Sequence, residues 1–159
     1  RVLEEFPDTH LQVIGKTPKG GAIRKLINKL DLVDKISFHS ELSELAVVAI
    51  YSSAEIAVIP SLYEGFGFGA GEAMACGVPL ISTKSGGLKE VIGDAAIIVE
   101  SGSSEDIESA VIDLFSDQTK QGLYSRLGRE RMENKFDWLG SANQYLKVFE
   151  EAKQNFKGI

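Results

Sequence analysis

The residues best suited to chemistry lie in one stretch, Tyr63–Gly77, which reads YEGFGFGAGEAMACG. Two carboxylates, Glu64 and Glu72, bracket most of its glycines. Gly65, Gly67, Gly69, Gly71 and Gly77 fall within thirteen residues. Each glycine inside a helix costs roughly 1 kcal/mol relative to alanine, so such a run belongs where the backbone turns sharply or meets a ligand closely. It directly follows Ile56–Pro60, an apolar run that reads as a buried strand. A glycine-rich turn from a strand into a helix presents free amides and the positive end of the helix dipole. That chemistry suits an anion that also carries hydroxyls, and a sugar nucleotide fits it.

Spacing alone leaves the two carboxylates open between two readings. Glu72 can complement a helix dipole, with Glu64 solvated in the loop. Alternatively, both accept hydrogen bonds from the vicinal hydroxyls of ribose and hexose rings. A retaining glycosidase also needs two flanking carboxylates, but the glycines point to amides meeting phosphate rather than to an open sugar cleft. Other phosphate chemistries are disfavoured. The chain has no G-x-x-x-x-G-K-[ST] loop, and Gly65-Phe66-Gly67-Phe68-Gly69 lacks dinucleotide spacing. It has no Asp-x-Asp to clamp a magnesium phosphate, and neither His10 nor His39 has a second ligand nearby. Neither a metal nor a cofactor is therefore expected. Lys16, Lys84 and Lys89 fall in or beside loops, where a solvated side chain is the default. Lys84, just before Ser85-Gly86-Gly87, is the best placed of them to meet a phosphate.

Positioning these residues takes a sheet. His10–Ile14, Ile36–Phe38, Ile56–Pro60, Pro79–Ser82 and Ala95–Val99 read as short buried strands. The third is continuous and apolar, as in a parallel sheet covered on both faces. Between them lie helical patterns. Ile23, Leu26, Ile27 and Leu30 share one face, and Ser43 caps a helix over Glu44–Ser53 with Leu45, Val48 and Ala49 facing inward. A helix near Glu72–Cys76 places Glu72 near its first turn, and a short turn of helix surrounds Lys89–Ile92. Ser103 with Asp106 forms a capping box ahead of the stripe Ile107, Ala110, Val111, Leu114 and Phe115. Lys120–Lys135 and Trp138–Asn155 read as two further helices, with Phe136 and Trp138 anchoring the last. This alternation predicts an α/β protein, an open parallel Rossmann-like sheet with helices on both faces. Ligands in such sheets bind at the carboxyl ends of the strands. Gly15 with the loop 16–21, the Glu64–Gly71 run and Ser85–Gly87 all fall at that rim.

Bulk properties narrow the classes. A chain of 159 residues is the size of a single domain, expected here over 1–159. With 43% hydrophobic and 25% charged residues it has the composition of an ordinary globular protein. A formal charge of −6 argues against a nucleic-acid partner and leaves phosphate binding to local amides and a few cations. Cys76 is the only cysteine, which excludes an internal disulfide, and its apolar neighbours make it a buried structural thiol. A cytoplasmic location is compatible with that. No apolar run reaches the roughly 20 residues of a membrane span, so no transmembrane segment is expected. The chain begins Arg1-Val2-Leu3-Glu4-Glu5-Phe6-Pro7 without Met, near the end of a helix, and is read as a fragment of something longer.

The run IPSLYEGFGFGAGEAMACGVPLISTKSGGLKEVI resembles the donor-binding half of retaining glycosyltransferases of the GT-B fold, the large family 4 group. The family pattern E-G-F-G-x-x-x-x-E-A-M-A-x-G-x-P is met by Glu64, Gly65, Phe66, Gly67, Glu72, Ala73, Met74, Ala75, Gly77 and Pro79. Its G-G-x-x-E-x-I turn is met by Gly86, Gly87, Glu90 and Ile92. The likeness runs from Phe6-Pro7 to the Phe136-Asp137-Trp138 step. It implies a nucleotide-diphosphate sugar as donor substrate and metal-independent hexosyl transfer that retains configuration. Retention in this family is commonly assigned to front-side attack with the leaving phosphate assisting as base, so no protein nucleophile is expected.

The same resemblance implies roles residue by residue. Glu64, the catalytic-site carboxylate, binds hydroxyls of the donor sugar. Backbone amides of Phe66 and Gly67 also address that sugar, and those of Phe68 and Gly69 the diphosphate. Glu72 holds the ribose hydroxyls, the backbone around Glu41 and Leu42 meets the nucleobase, and Gly15 and Lys84 lie on the phosphate side. Two departures stand out, Gly69 where the family often has Pro and Gly71 where it has a larger apolar residue. Both are expected to loosen the loop and the helix start. The loop after Gly15 also lacks the usual Gly-x-Gly-Pro form. The family's Arg and Lys for the diphosphate would precede Arg1, as would an acceptor domain, the partner half of a two-domain enzyme. The fragment alone is therefore expected to be inactive or nearly so, and peripheral membrane attachment is left to the full-length protein. The alternatives are a non-catalytic sugar-nucleotide-binding module and a sugar-nucleotide epimerase of similar architecture. A flavodoxin-like signalling domain would need phosphoacceptor aspartates at strand ends, and the predicted strand ends carry none.

Overall fold

A computed structural model describes residues 1–16 and 21–156 of the chain. Residues 17–20, most of the predicted loop 16–21, lie outside the described residues. A short helix α1 (Val2–Glu5) leads into β1 (Leu11–Ile14), which pairs in parallel with β2 (Ile36–His39) across α2 (Gly21–Lys29). Helix α3 (Glu44–Ser53) then leads to a second parallel sheet. Its strands β3 (Ala57–Ile59), β4 (Leu80–Ser82) and β5 (Ile97–Ile98) lie side by side in that order. Helices α4 (Phe68–Ala75) and α5 (Leu88–Ile92) connect them, and α6 (Ser104–Ser116), α7 (Gln118–Lys135) and α8 (Trp138–Asn155) complete the described chain. The open parallel α/β class is as the sequence predicts. The expected single five-stranded sheet is instead a pair of sheets, because β1 and β3 share no ladder among the described residues and each keeps a free edge.

The core sits around the second sheet. Met74, Leu80, Ile81, Leu88, Ile92 and Leu114 are fully enclosed, which ties α4, α5 and α6 to β4. The caps are where the sequence puts them: Ser43 Oγ accepts from the Ala46 amide at 3.3 Å, and Ser103 Oγ from the Asp106 amide at 3.1 Å. The capping box is only half made, since the Asp106 carboxylate accepts from the Glu100 amide at 3.1 Å.

Three packing expectations are corrected. In α3 the inward residues are Ala46, Val47, Ile50 and Tyr51, while Leu45 is 83% exposed and Val48 and Ala49 also face out. Every position from Leu45 to Tyr51 is apolar or aromatic, so the sequence has no stripe from which to read the rotation of that helix. On α2, Ile23 and Leu26 are exposed, as is Leu30 just after it, and most of β1 is exposed as well, because the two-stranded sheet has little laid over it. Trp138 is 91% exposed rather than anchoring α8, a helix without one buried residue. Phe136, just before that helix, packs edge-on to Phe66 at 6.4 Å between ring centroids.

Candidate functional site

The glycine-rich stretch does form a strand-to-helix turn, but its helix starts earlier than predicted. Helix α4 begins at Phe68 and runs through Gly69 and Gly71 without a break. Those two glycines do not interrupt it, because both are held from outside. The Tyr51 hydroxyl donates to the Gly69 carbonyl at 3.2 Å, and Gly71 lies beside the Met132 sulfur. Burial of Ala70, Ala73 and Met74 fixes the body of the helix in the core. Its N-terminus is left open.

The N-cap is Gly67, in the left-handed region at φ 101°, where a side chain would also press on Leu88. Having no side chain, it cannot cap. The amides of Ala70 and Gly71 both donate to the Gly67 carbonyl at 3.1 Å. That leaves the first-turn amides of Phe68 and Gly69 with no side-chain acceptor at the positive end of the helix. No acidic residue occupies that turn. Glu72 is the fifth residue of α4 and exposed, one turn further in than the sequence reading placed it. It is thus poorly placed to complement the dipole.

The loop before α4 is held by backbone and hydroxyl groups from β4 and the turn behind it. Thr83 Oγ1 donates to the Ser61 carbonyl at 2.7 Å, Ser82 Oγ to the Ile59 carbonyl at 3.2 Å, and the Gly87 amide to the Glu64 carbonyl at 2.9 Å. Glu64 is half-buried, with Ser61 Oγ 3.5 Å from its carboxylate. Phe66 and Phe68 pack against each other at 4.9 Å, both largely exposed at the rim.

Elsewhere on the rim, the Gly15 amide closes the end of β1 by donating to the His39 carbonyl at 2.8 Å. Glu41 takes φ 55°, an uncommon conformation for a residue with a side chain, which turns the backbone sharply after β2. Leu42 next to it is half-buried, and Lys84 is exposed on the loop after β4. Among the described residues no three His, Cys, Asp or Glu side chains cluster as metal ligands. None of the described helices is long and apolar enough to cross a membrane.

Sequence reasoning missed the residues that support this rim: Tyr51, Ser82, Thr83 and Arg131. Tyr51 is almost enclosed, and burial first, then the nearby Glu72 and Cys76, holds its phenol above the usual tyrosine range. Its signal in the sequence was faint, a tyrosine at the inward end of an apolar helix. Nothing local marks the other three.

The class is that of an open parallel α/β domain, with an uncapped helix N-terminus at the carboxyl rim of its sheet, where anions suit the helix dipole. The chain belongs to the family described as glycosyl transferases, group 1, whose pattern matches residues 1–133. It is 34% identical over 148 residues to an MMP alpha-(1->4)-mannosyltransferase of Mycolicibacterium hassiacum, covering 91% of this chain and 36% of that one. Its structure is similar to sucrose-phosphate synthase of Thermosynechococcus elongatus, with TM-score 0.83 and 26% identity, over 97% of this chain and 41% of that one. It is also similar to the C-terminal domain of a group 1 glycosyl transferase (LpcC) of Francisella tularensis, with TM-score 0.76 and 27% identity, over 86% of this chain and 74% of that one. The fold is that of the GT-B glycosyltransferases. The chain spans about a third of the length of the curated relatives it matches.

Proposed function

We propose that this chain is the donor-binding domain of a retaining, metal-independent glycosyltransferase that moves a hexosyl group from a nucleotide-diphosphate sugar. The observation that carries this reading is the open start of α4, where the amides of Phe68 and Gly69 lack a cap inside a fixed, buried helix. In this reading those amides and the helix dipole bind the diphosphate and stabilise it as it leaves, in place of a metal. The amides of Phe66 and Gly67 and the Glu64 carboxylate hold the hexose. Glu72 accepts from the ribose hydroxyls, and the turned backbone at Glu41 and Leu42 meets the nucleobase. Gly15 and Lys84 line the phosphate side. The acceptor binds on a domain outside residues 1–159, and the transfer takes place in the cytoplasm.

The test is ligand-observed NMR of the chain with UDP, GDP and ADP, each bare and hexose-linked, repeated on Glu72→Ala. Selective saturation of one nucleotide that disappears in the variant is the expected result. Saturation that survives in Glu72→Ala overturns the ribose assignment. Absence of binding by the chain and by its full-length parent alike overturns the donor-domain reading.

A further inference from the structure

An open cleft of about 550 Å³ lies beside the glycine-rich loop, lined by Gly65, Phe66, Glu90, Arg131, Lys135 and Phe136 among others. Specific backbone contacts hold the loop beside it. The main one is the turn that starts α5. The Gly87 amide donates to the Glu64 carbonyl, and Gly86 and Gly87 come so close to the Glu64 and Gly65 carbonyls that neither position has room for a Cβ. Helix α5 has only five residues, and the buried Leu88, Val91 and Ile92 hold its inner face to the core. Its far end is gripped by Arg131 of α7. Arg131 Nε donates to the Val91 carbonyl and Nη2 to the Glu90 carbonyl, both at 2.6 Å. These are carbonyls of the last turn of α5, where a cation also suits the helix dipole. Gly93, at φ 53°, leaves the space through which the guanidinium reaches them. The same guanidinium lies 5.9 Å from the Phe136 ring centre, and Phe136 in turn packs on Phe66.

From this we infer that Arg131 is a positioning residue for the Glu64–Phe66 segment. It acts through two routes, the clamp on α5 and the Phe136–Phe66 contact, and touches no ligand itself. The inference rests on the donor-site reading for its consequence: because the braced segment is the hexose end of the site, losing Arg131 impairs recognition of the sugar while the nucleotide end on α4 keeps its hold. A lysine cannot replace it fully, since one ammonium cannot serve two carbonyls as a planar fork does.

The first measurement needs no ligand. Amide hydrogen exchange is followed in the wild-type chain, Arg131→Gln and Arg131→Lys. The Gly87 amide is expected to exchange about tenfold faster in Arg131→Gln and by an intermediate factor in Arg131→Lys, with the Ala73 and Met74 amides of α4 unchanged. Unchanged exchange at Gly87 in both variants overturns the inference, as does equal acceleration at Ala73 and Met74, which would mark general loosening. The second compares affinities for a bare nucleoside diphosphate and its hexose-linked form. Arg131→Gln is expected to keep the former within about twofold and to lose most of the gain from the hexose; equal loss of both overturns the positioning of the sugar end. If the wild-type chain and its full-length parent bind no nucleotide, the donor-site reading fails, and the exchange result alone decides the role of Arg131.

Discussion

Replacing Gly86 with alanine tests how the rim is built. The residue sits at φ 58°, and a Cβ there would overlap the Glu64 carbonyl, a main-chain atom with no rotamer to change. Holding an L-residue in that left-handed conformation costs about 1–2 kcal/mol. Relief of the overlap requires the Glu64–Gly65 backbone to move off α5, which breaks the Gly87–Glu64 hydrogen bond at a further cost of about 1 kcal/mol. The smaller entropy of the unfolded alanine chain offsets about 0.4–1 kcal/mol. The net loss is about 2 kcal/mol, which for a domain of this size lowers Tm by about 4–8 °C.

The same substitution at Gly122 is the control. That residue lies inside α7, and a Cβ there would meet nothing within 4 Å. Gly122→Ala should gain about 1 kcal/mol of helix propensity and raise Tm by about 2–4 °C. Differential scanning calorimetry of the two variants reads opposite signs from one chemical change. If Gly86→Ala melts with or above the wild type, the close approach between the two loops does not hold the site, and the bracing argument fails.

Glu72→Ala should weaken binding of a bare nucleotide by about 1.5–3 kcal/mol, the scale of a charge-assisted hydrogen bond, when measured by calorimetric titration. Glu64→Ala should leave bare nucleotide affinity within about twofold and remove most of the hexose gain; equal losses in both variants would end that division of labour. Tyr51→Phe should cost about 0.5–1.5 kcal/mol near neutral pH by removing the bond to Gly69. The Tyr51 pKa is raised on folding, so its folded environment favours the neutral phenol. Wild-type stability is therefore complete below the unfolded pKa of about 10 and falls as pH rises beyond it. The gap to Tyr51→Phe, which has nothing to ionise, should narrow in urea melts taken through that range, and a constant gap would contradict the assignment. Glu41→Gly relieves the left-handed strain, so it should not destabilise the chain, and it should leave nucleotide affinity within about twofold if the base is met by backbone alone.

The second half of the chain was more legible than the first for a physical reason. Its helices carry polar faces and side-chain caps, so period and boundary both show, and Ser103 and the Ile107–Leu114 stripe lie where expected. Helix α3 is apolar on nearly every side, and its inward face is set by what it packs against, which no local pattern records. The start of α4 is not legible in the sequence because propensity argues against a helix through Gly69 and Gly71; contacts from Tyr51 and α7, distant in sequence, override it.

The glycines themselves separate into two functions that composition cannot tell apart. At the rim three glycine-containing loops looked like three places where a ligand comes close. Gly67 fits that reading, since its missing side chain leaves the first turn of α4 open. Gly86 and Gly87 do not: their missing side chains are filled by the carbonyls of Glu64 and Gly65, so their freedom serves chain meeting chain. Under the donor-site proposal the motif is therefore two parts, a binding loop and the brace that holds it. The brace is anchored by an arginine more than forty positions further along the chain, with the hydrogen bonds from Arg131 to Glu90 and Val91 as the last link. Substitutions in the brace should therefore act on the site without touching what it binds.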